Sequence, residues 1–158
     1  MLGWRRKDKT QGDVPPSKKK LPVINASLQD VREAVRAFAD NAPKGVYSSI
    51  LVKEDNTIDY ELLAPYLHGI PERKLYMSRA TYEIFEEDEC EICVETDKVQ
   101  AAVDAYVKET GELPYIEGDP YRKVSYYKLE SRSLLSERPS IDFYLTDEEF
   151  LITHRKPR

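Results

Sequence analysis

The sequence lacks the motifs that identify common enzyme classes. It has no Gly-x-Ser-x-Gly elbow, no Walker A loop, no Gly-x-Gly-x-x-Gly loop and no His-Glu-x-x-His motif. Its two histidines, His68 and His154, are isolated from each other in sequence, so no conventional acid–base pair is visible. We therefore expect a protein that binds rather than catalyses, with no cofactor and no metal ion.

Glycine and long apolar runs are also scarce. The chain of 158 residues has six glycines, and none of them lies between Gly69 and Gly111. The acidic run at residues 86–91 therefore lacks the central glycine of a calcium loop. No apolar run approaches the roughly 20 residues that cross a bilayer, and no apolar core of a secretory signal follows the basic start. These absences favour a cytoplasmic location.

The two cysteines, Cys90 and Cys93, form a CxxC pair that overlaps the end of this acidic run. Redox cysteines need a positively charged environment, whereas the neighbours here are carboxylates. A zinc site needs four ligands, and one CxxC pair supplies two of them. We expect both cysteines to be structural residues in a segment that joins two repeats.

Charge is distributed unevenly along the chain, whose net charge is −5. Residues 1–20 carry seven basic and two acidic side chains, and the remaining residues carry 17 and 27. We expect residues 1–22 to form a disordered basic arm. The acidic remainder argues against binding of nucleic acid. The arm is either a solubilising tail or a weak contact to an anionic membrane, made by Trp4, Arg5, Arg6, Lys7, Lys18, Lys19 and Lys20.

Apolar spacing predicts a similar order of elements twice. The first set is a helix from Ser27 to Ala42, a strand at residues 46–52, a short helix at residues 60–67 and a hairpin of residues 75–77 with 82–85. The second set is a helix with its N-cap at Thr96, a short helix at residues 126–135 and a hairpin of residues 141–145 with 150–153.

A shift of 68 residues aligns the two sets. Ile24 then aligns with Ile92 and Pro71 with Pro139. Tyr60, at the start of the first short helix, aligns with Tyr127 if the shift is reduced by one residue there. The aligned positions are mostly apolar. We predict an α+β fold of two tandem helix–short helix–hairpin repeats, residues 23–90 and 91–158. About four antiparallel strands would pack on helices in one shared domain, with pseudo-twofold symmetry and a cleft at the repeat junction.

A tyrosine-rich segment lies in the second repeat. Tyrosine and arginine are enriched at binding hot spots, although half-buried tyrosines are also common core residues. We take six residues of this segment as candidate binding residues: Tyr115, Tyr121, Arg122, Lys123, Tyr126 and Tyr127.

Three stretches carry a resemblance to a known family. They are residues 106–114 (YVKETGELP), residues 119–121 (DPY) and residues 143–154 (FYLTDEEFLITH). The chain from about residue 22 to 155 resembles a family of small uncharacterised proteins, a domain of unknown function, from Bacillus-type Gram-positive bacteria. The resemblance implies a bacterial protein that is intracellular or lies on the cytoplasmic face of the membrane. It implies no activity and no functional residues.

Three hypotheses on function follow. The leading one is a non-enzymatic binding or adaptor module, which contacts a partner protein through the repeat junction or the tyrosine-rich segment. The second is a peripheral membrane protein tethered by the basic arm. The third is an enzyme whose carboxylates and tyrosines meet in a cleft. The sequence leaves the partner and the oligomeric state open.

Overall fold

The computed structural model describes residues 21–148 and 150–157. It shows an α+β fold of helices and two-residue strands, which pair into three small sheets. The chain divides into two compact units. The first comprises residues 21–41 and 59–73, and the second comprises residues 42–58 and 74–157. The repeat boundary after residue 90 stays a prediction, and all but two residues of the predicted arm lie outside the described chain.

The first unit contains two helices and a parallel pair of strands. Its elements are β1 (Val23–Ile24), α1 (Leu28–Asn41), α2 (Tyr60–Leu67) and β2 (Ile70–Pro71). The N-cap predicted at Ser27 is confirmed. The hydroxyl of Ser27 accepts a hydrogen bond from the amide of Asp30 (3.0 Å), and the carboxylate of Asp30 accepts one from the amide of Ser27 (2.9 Å). These reciprocal bonds satisfy two amides that the helix leaves free.

Gly69 allows the two strands of the first unit to approach each other. The amide of Ile70 donates to the carbonyl of Pro22 at 2.8 Å. A Cβ atom on Gly69 would lie 2.7 Å from that carbonyl oxygen and 2.6 Å from Cγ2 of Ile24. The glycine is therefore required by close packing rather than by an unusual backbone angle. This parallel pair was not among the elements predicted from the sequence.

The second unit contains both predicted hairpins, which are confirmed. In chain order its elements are a 3₁₀ helix (Ser48–Leu51), β3 (Tyr76–Met77), β4 (Ile84–Phe85), a 3₁₀ helix (Glu87–Glu89), α3 (Cys90–Thr110), α4 (Tyr126–Ser131), β5 (Tyr144–Leu145) and β6 (Ile152–Thr153). β3 pairs with β4 and β5 with β6, both antiparallel. The short helix predicted at residues 126–135 is α4, which ends earlier, at Ser131.

The strand predicted at residues 46–52 is wrong, because this stretch forms the 3₁₀ helix Ser48–Leu51. The first and last residues of that helix are buried, whereas Tyr47 and Ile50 are 69% and 51% exposed. Burial thus recurs every three residues, which is the period of a 3₁₀ helix and not that of a strand. The apolar residues resemble those of a strand, but their spacing favours the tighter helix.

The N-cap predicted at Thr96 is also wrong, because α3 begins at Cys90. Thr96 is fully buried within the helix, and its hydroxyl donates to the carbonyl of Ile92 at 2.7 Å. The acidic residues Glu87–Glu89 precede the helix, where negative charge interacts favourably with the helix dipole. The CxxC pair therefore lies in the first turn of α3, and most of the acidic run forms the 3₁₀ helix immediately before it.

The two hairpins have the same register at a shift of 68 residues. The paired residues are Tyr76 with Phe85 and Met77 with Ile84 in the first hairpin, and Tyr144 with Thr153 and Leu145 with Ile152 in the second. A residue with left-handed backbone precedes each hairpin, Asn56 (φ 68°) and Arg122 (φ 53°). The carbonyl of each accepts a hydrogen bond from the first strand of its hairpin.

The short helices α2 and α4 begin in the same way. Tyr60 is the first residue of α2, and its hydroxyl donates to the carbonyl of Arg73 at 2.8 Å. Tyr126 is the first residue of α4, and its hydroxyl donates to the carbonyl of Ile141 at 2.6 Å. In this stretch Tyr60 therefore corresponds to Tyr126 rather than to Tyr127. The tandem repeat of the two complete sets of elements stays a prediction.

Asp97 on α3 holds the first hairpin. Its carboxylate accepts hydrogen bonds from the side-chain amide of Asn56 (2.9 Å) and from the hydroxyl of Ser78 (2.5 Å). The backbone amides of Arg79 and Ala80 donate to the same carboxylate at 3.3 and 3.2 Å. One charged group thus satisfies four donors in and beside the hairpin turn, and hydrogen bonds to charged groups are among the stronger ones.

Gln100, one turn further along α3, holds the second hairpin. Its Nε2 donates to the carbonyl of Phe150 at 2.8 Å, and its Oε1 accepts from the amide of Ile152 at 3.0 Å. Gln100 is 2% exposed. Residues of α3 form a core cluster with residues in or just before α4 and the second hairpin: Val99, Ala102, Val103, Tyr106, Val124, Leu129, Phe143, Leu145 and Ile152.

We expect Gln100→Met to lower the free energy of unfolding by about 2 kcal/mol, because it leaves the buried amide of Ile152 and the partly buried carbonyl of Phe150 without their side-chain partner. Methionine is similar in length, so the loss of packing is small. Urea denaturation measures the change, and hydrogen exchange should show reduced protection of the amide of Ile152. Lys98→Met, at an exposed position of the same helix, is the control. Equal stability of the two variants would contradict this role of Gln100.

Candidate binding cleft

The two hairpins meet at the side chain of Glu83. Its carboxylate accepts hydrogen bonds from Nε of Arg155 (3.1 Å) and from the hydroxyl of Thr153 (3.4 Å). The rings of Phe85 and His154 lie against each other with their centroids 5.4 Å apart. The strand that ends the second hairpin is thereby joined to the last strand of the first.

His154 lies between two carboxylates at this junction. Its Nδ1 is 3.7 Å from Oε2 of Glu83, and its Nε2 is 3.8 Å from Oε2 of Glu89. The side chain is 13% exposed, and Nδ1 is buried with no hydrogen-bond partner among the described residues. Both separations exceed the usual length of a hydrogen bond. The imidazole is therefore packed between the two carboxylates without a hydrogen bond to either.

An open cleft of about 430 Å³ lies beside this junction. One wall is the turn before α4, and the other walls are the second hairpin and the segment after β6. The residues that line it are Pro120, Tyr121, Arg122, Leu145, Thr146, Asp147, Thr153, Arg155, Lys156 and Pro157. Thr153 and Arg155 belong both to the cleft and to the contact at Glu83.

The turn before α4 fixes the positions of Tyr121 and Arg122. Gly118 adopts φ 86°, a left-handed angle that glycine accommodates easily. The carboxylate of Asp119 accepts a hydrogen bond from the amide of Tyr121 at 2.8 Å, and its carbonyl accepts one from the amide of Arg122 at 3.2 Å. Nη2 of Arg122 then donates to the carbonyl of Thr146 across the cleft at 2.7 Å.

Of the six candidate binding residues, Tyr121 and Arg122 line this cleft and the other four do not. Lys123 pairs with Asp142, with 3.5 Å between Nζ and Oδ2. Tyr115 packs against the core, with Nζ of Lys128 at 5.9 Å from its ring centroid. Tyr127 is 72% exposed. The tyrosine-rich segment is therefore divided between the cleft, the core and the open surface.

Tyr126, another candidate, has a structural environment. Its ring packs against the core, and its hydroxyl is bonded to the carbonyl of Ile141. Burial raises the pKa of this phenol well above its usual value, and the negative charge of Asp142 raises it further. The hydroxyl is therefore held in its neutral form as a donor, which favours a role in anchoring α4.

Two residues of the cleft, Arg155 and Lys156, were not among the candidates. Nζ of Lys156 lies 4.4 Å from the ring centroid of Tyr121, within the range of a cation–π contact. The ring of Tyr121 also packs edge-on against Tyr144, with 6.4 Å between the centroids. The basic run at residues 154–158 is the signal in the sequence that points to this part of the cleft.

Cys93 is inaccessible in the structure, whereas Cys90 is partly exposed. Burial raises the pKa of the Cys93 thiol to about 12, and the negative charge of Asp97 adds to the effect. Within residues 21–148 and 150–157 there is no group of three or more potential ligands that could hold a metal ion. The arrangement is that of a packed thiol next to Phe85 and Tyr76.

Fold and site together define an α+β protein with small two-stranded sheets and an open, partly basic cleft. The chain belongs to the family described as "Protein of unknown function (DUF3939)", which matches residues 21–154. The match ends before Arg155 and Lys156. No curated protein and no solved structure matches the chain significantly.

The residues proposed for membrane contact lie outside the described chain, namely Trp4, Arg5, Arg6, Lys7, Lys18, Lys19 and Lys20. Among the helices of the described residues, none is both long and apolar enough to span a bilayer. Membrane contact through the arm stays a prediction.

We expect the two thiols to react very differently in the folded protein. At about pH 8 the raised pKa keeps the Cys93 thiol protonated, and burial blocks access as well. Ellman's reagent should modify the Cys93→Ser variant, which retains Cys90, much faster than the Cys90→Ser variant. In denaturant the two variants should react alike. Similar rates in the folded state would contradict the burial of Cys93.

Proposed function

We propose that this protein is a non-enzymatic binding module that holds a segment of a partner protein in the cleft beside the second hairpin. The observation that carries the proposal is the placement of Tyr121 and Arg122, with Arg155 and Lys156, around one cleft of about 430 Å³. Tyrosine and arginine dominate the binding energy of many protein interfaces. The cleft also adjoins the contact between the two hairpins at Glu83.

Preorganisation supports this role. Arg122 is fixed by the carbonyl of Thr146 and Tyr121 by the ring of Tyr144. Side chains that are already ordered lose little entropy when a partner binds, so more of the contact energy appears as affinity. The turn before α4 and the second hairpin, which hold these two side chains, are attached to α3 through Gln100 and the core.

A site-specific photocrosslinker tests the proposal. We expect p-benzoylphenylalanine in place of Tyr121 to give a discrete crosslinked product in cells of the source organism. The same group in place of Tyr127, which is 72% exposed and outside the cleft, is the control for exposure alone. The product should disappear when Arg122→Ala is added to the first variant.

Two results would contradict the proposal. One is the absence of any product from position 121, and the other is the same set of products from both positions.

Peripheral attachment through the basic arm is an independent proposal. It predicts sedimentation of the full chain with anionic vesicles at low salt, and loss of sedimentation at high salt.

A further inference from the structure

The charge of the cleft is opposite to the net charge of residues 21–158. Residues 21–158 carry 17 basic and 27 acidic side chains. The described residues that line the cleft include three cations, Arg122, Arg155 and Lys156, and one carboxylate, Asp147. From this local reversal we infer that the cleft takes an acidic peptide segment and binds its carboxylates. The inference rests on the proposed function and specifies the chemistry of the ligand.

Two of these cations are held mainly by neutral groups. Arg122 donates to the carbonyl of Thr146, and Lys156 lies over the ring of Tyr121. Neither contact cancels the positive charge, so both cations remain available to a carboxylate. The carboxylate of Asp147 lies 3.8 Å from Nη2 of Arg122, but its side chain is fully exposed, so solvent screens the interaction.

Arg155 adds a third cation at the end of the cleft nearest the hairpin junction. Its Nε is bonded to Glu83, but its side chain remains 60% exposed. A guanidinium group presents five donors in a rigid plane, so one occupied edge leaves others for a ligand. The bond to Glu83 orients the group, which favours recognition of a planar carboxylate.

The neutral part of the lining favours a peptide over a polyphosphate. Pro120 and Pro157 lie beside the cations in the same cleft, and they offer apolar contacts to side chains next to an acidic residue. A nucleic acid would carry many charges past the acidic body and be repelled. An acidic peptide places a few charges locally, and it can match the small number of cations here.

The test is fluorescence anisotropy of the full chain with a short labelled peptide rich in glutamate and leucine. A second peptide, with lysine in place of each glutamate, measures the preference for charge. We expect the acidic peptide to bind more tightly, and Lys156→Glu to weaken its binding about tenfold. Lys156→Gln should weaken it less, because it removes the charge without reversing it. Lys44→Glu, an exposed residue outside the cleft lining, should have little effect.

The inference is overturned if the lysine peptide binds equally well, if neither peptide binds, or if Lys44→Glu weakens binding as much as Lys156→Glu. It is also overturned if Lys156→Glu abolishes binding of the protein to vesicles of anionic lipid but leaves its binding of the acidic peptide unchanged. The cleft would then bind lipid headgroups. If the crosslink at position 121 is still observed in any of these cases, the protein remains a binding module but its ligand is not an acidic peptide. Absence of that crosslink contradicts the module itself.

Discussion

The second unit depends on two polar side chains of α3, Asp97 and Gln100, each of which satisfies the backbone of one hairpin. Strands of two residues form few hydrogen bonds, and an isolated hairpin is marginal in water. Asp97 accepts bonds from the first hairpin turn and from Asn56. Gln100 donates to and accepts from the second hairpin. Because the residues are three apart, they lie on neighbouring positions of one helical face, and each hairpin is fixed against the same rigid element.

The start of the same helix explains why the cysteine pair is unremarkable chemically. Acidic residues precede the helix, where they stabilise it through its dipole, and Asp97, further along the helix, places negative charge near the Cys93 thiol. Cys93 faces the core beside Phe85 and Tyr76, and burial holds its thiol protonated. A feature that suggests redox or metal chemistry in the sequence thus becomes part of the packing that joins α3 to the first hairpin.

The cleft combines residues that are distant in the sequence. The turn before α4 contributes Tyr121 and Arg122, and the segment after β6 contributes Arg155 and Lys156. They are brought together because Leu145 in β5 bonds to the carbonyl of Arg122, while β6 pairs with β5. The pairing of the second hairpin therefore determines the composition of the cleft, and through it the proposed preference for an acidic segment of a partner protein.

The sequence by itself determined the α+β class, both hairpins, the cap of α1 and the bounds of α2, since these depend on local spacing, capping and turn residues. Among its six candidate binding residues it included Tyr121 and Arg122, which line the cleft. It misplaced the start of α3 and the stretch at residues 46–52, where apolar residues suit more than one local structure. Only the tertiary structure decided that Gln100 is buried, that Tyr126 is an anchor, and that Arg155 and Lys156 join the cleft. Each of these depends on contacts between residues far apart in the chain, which no local pattern encodes.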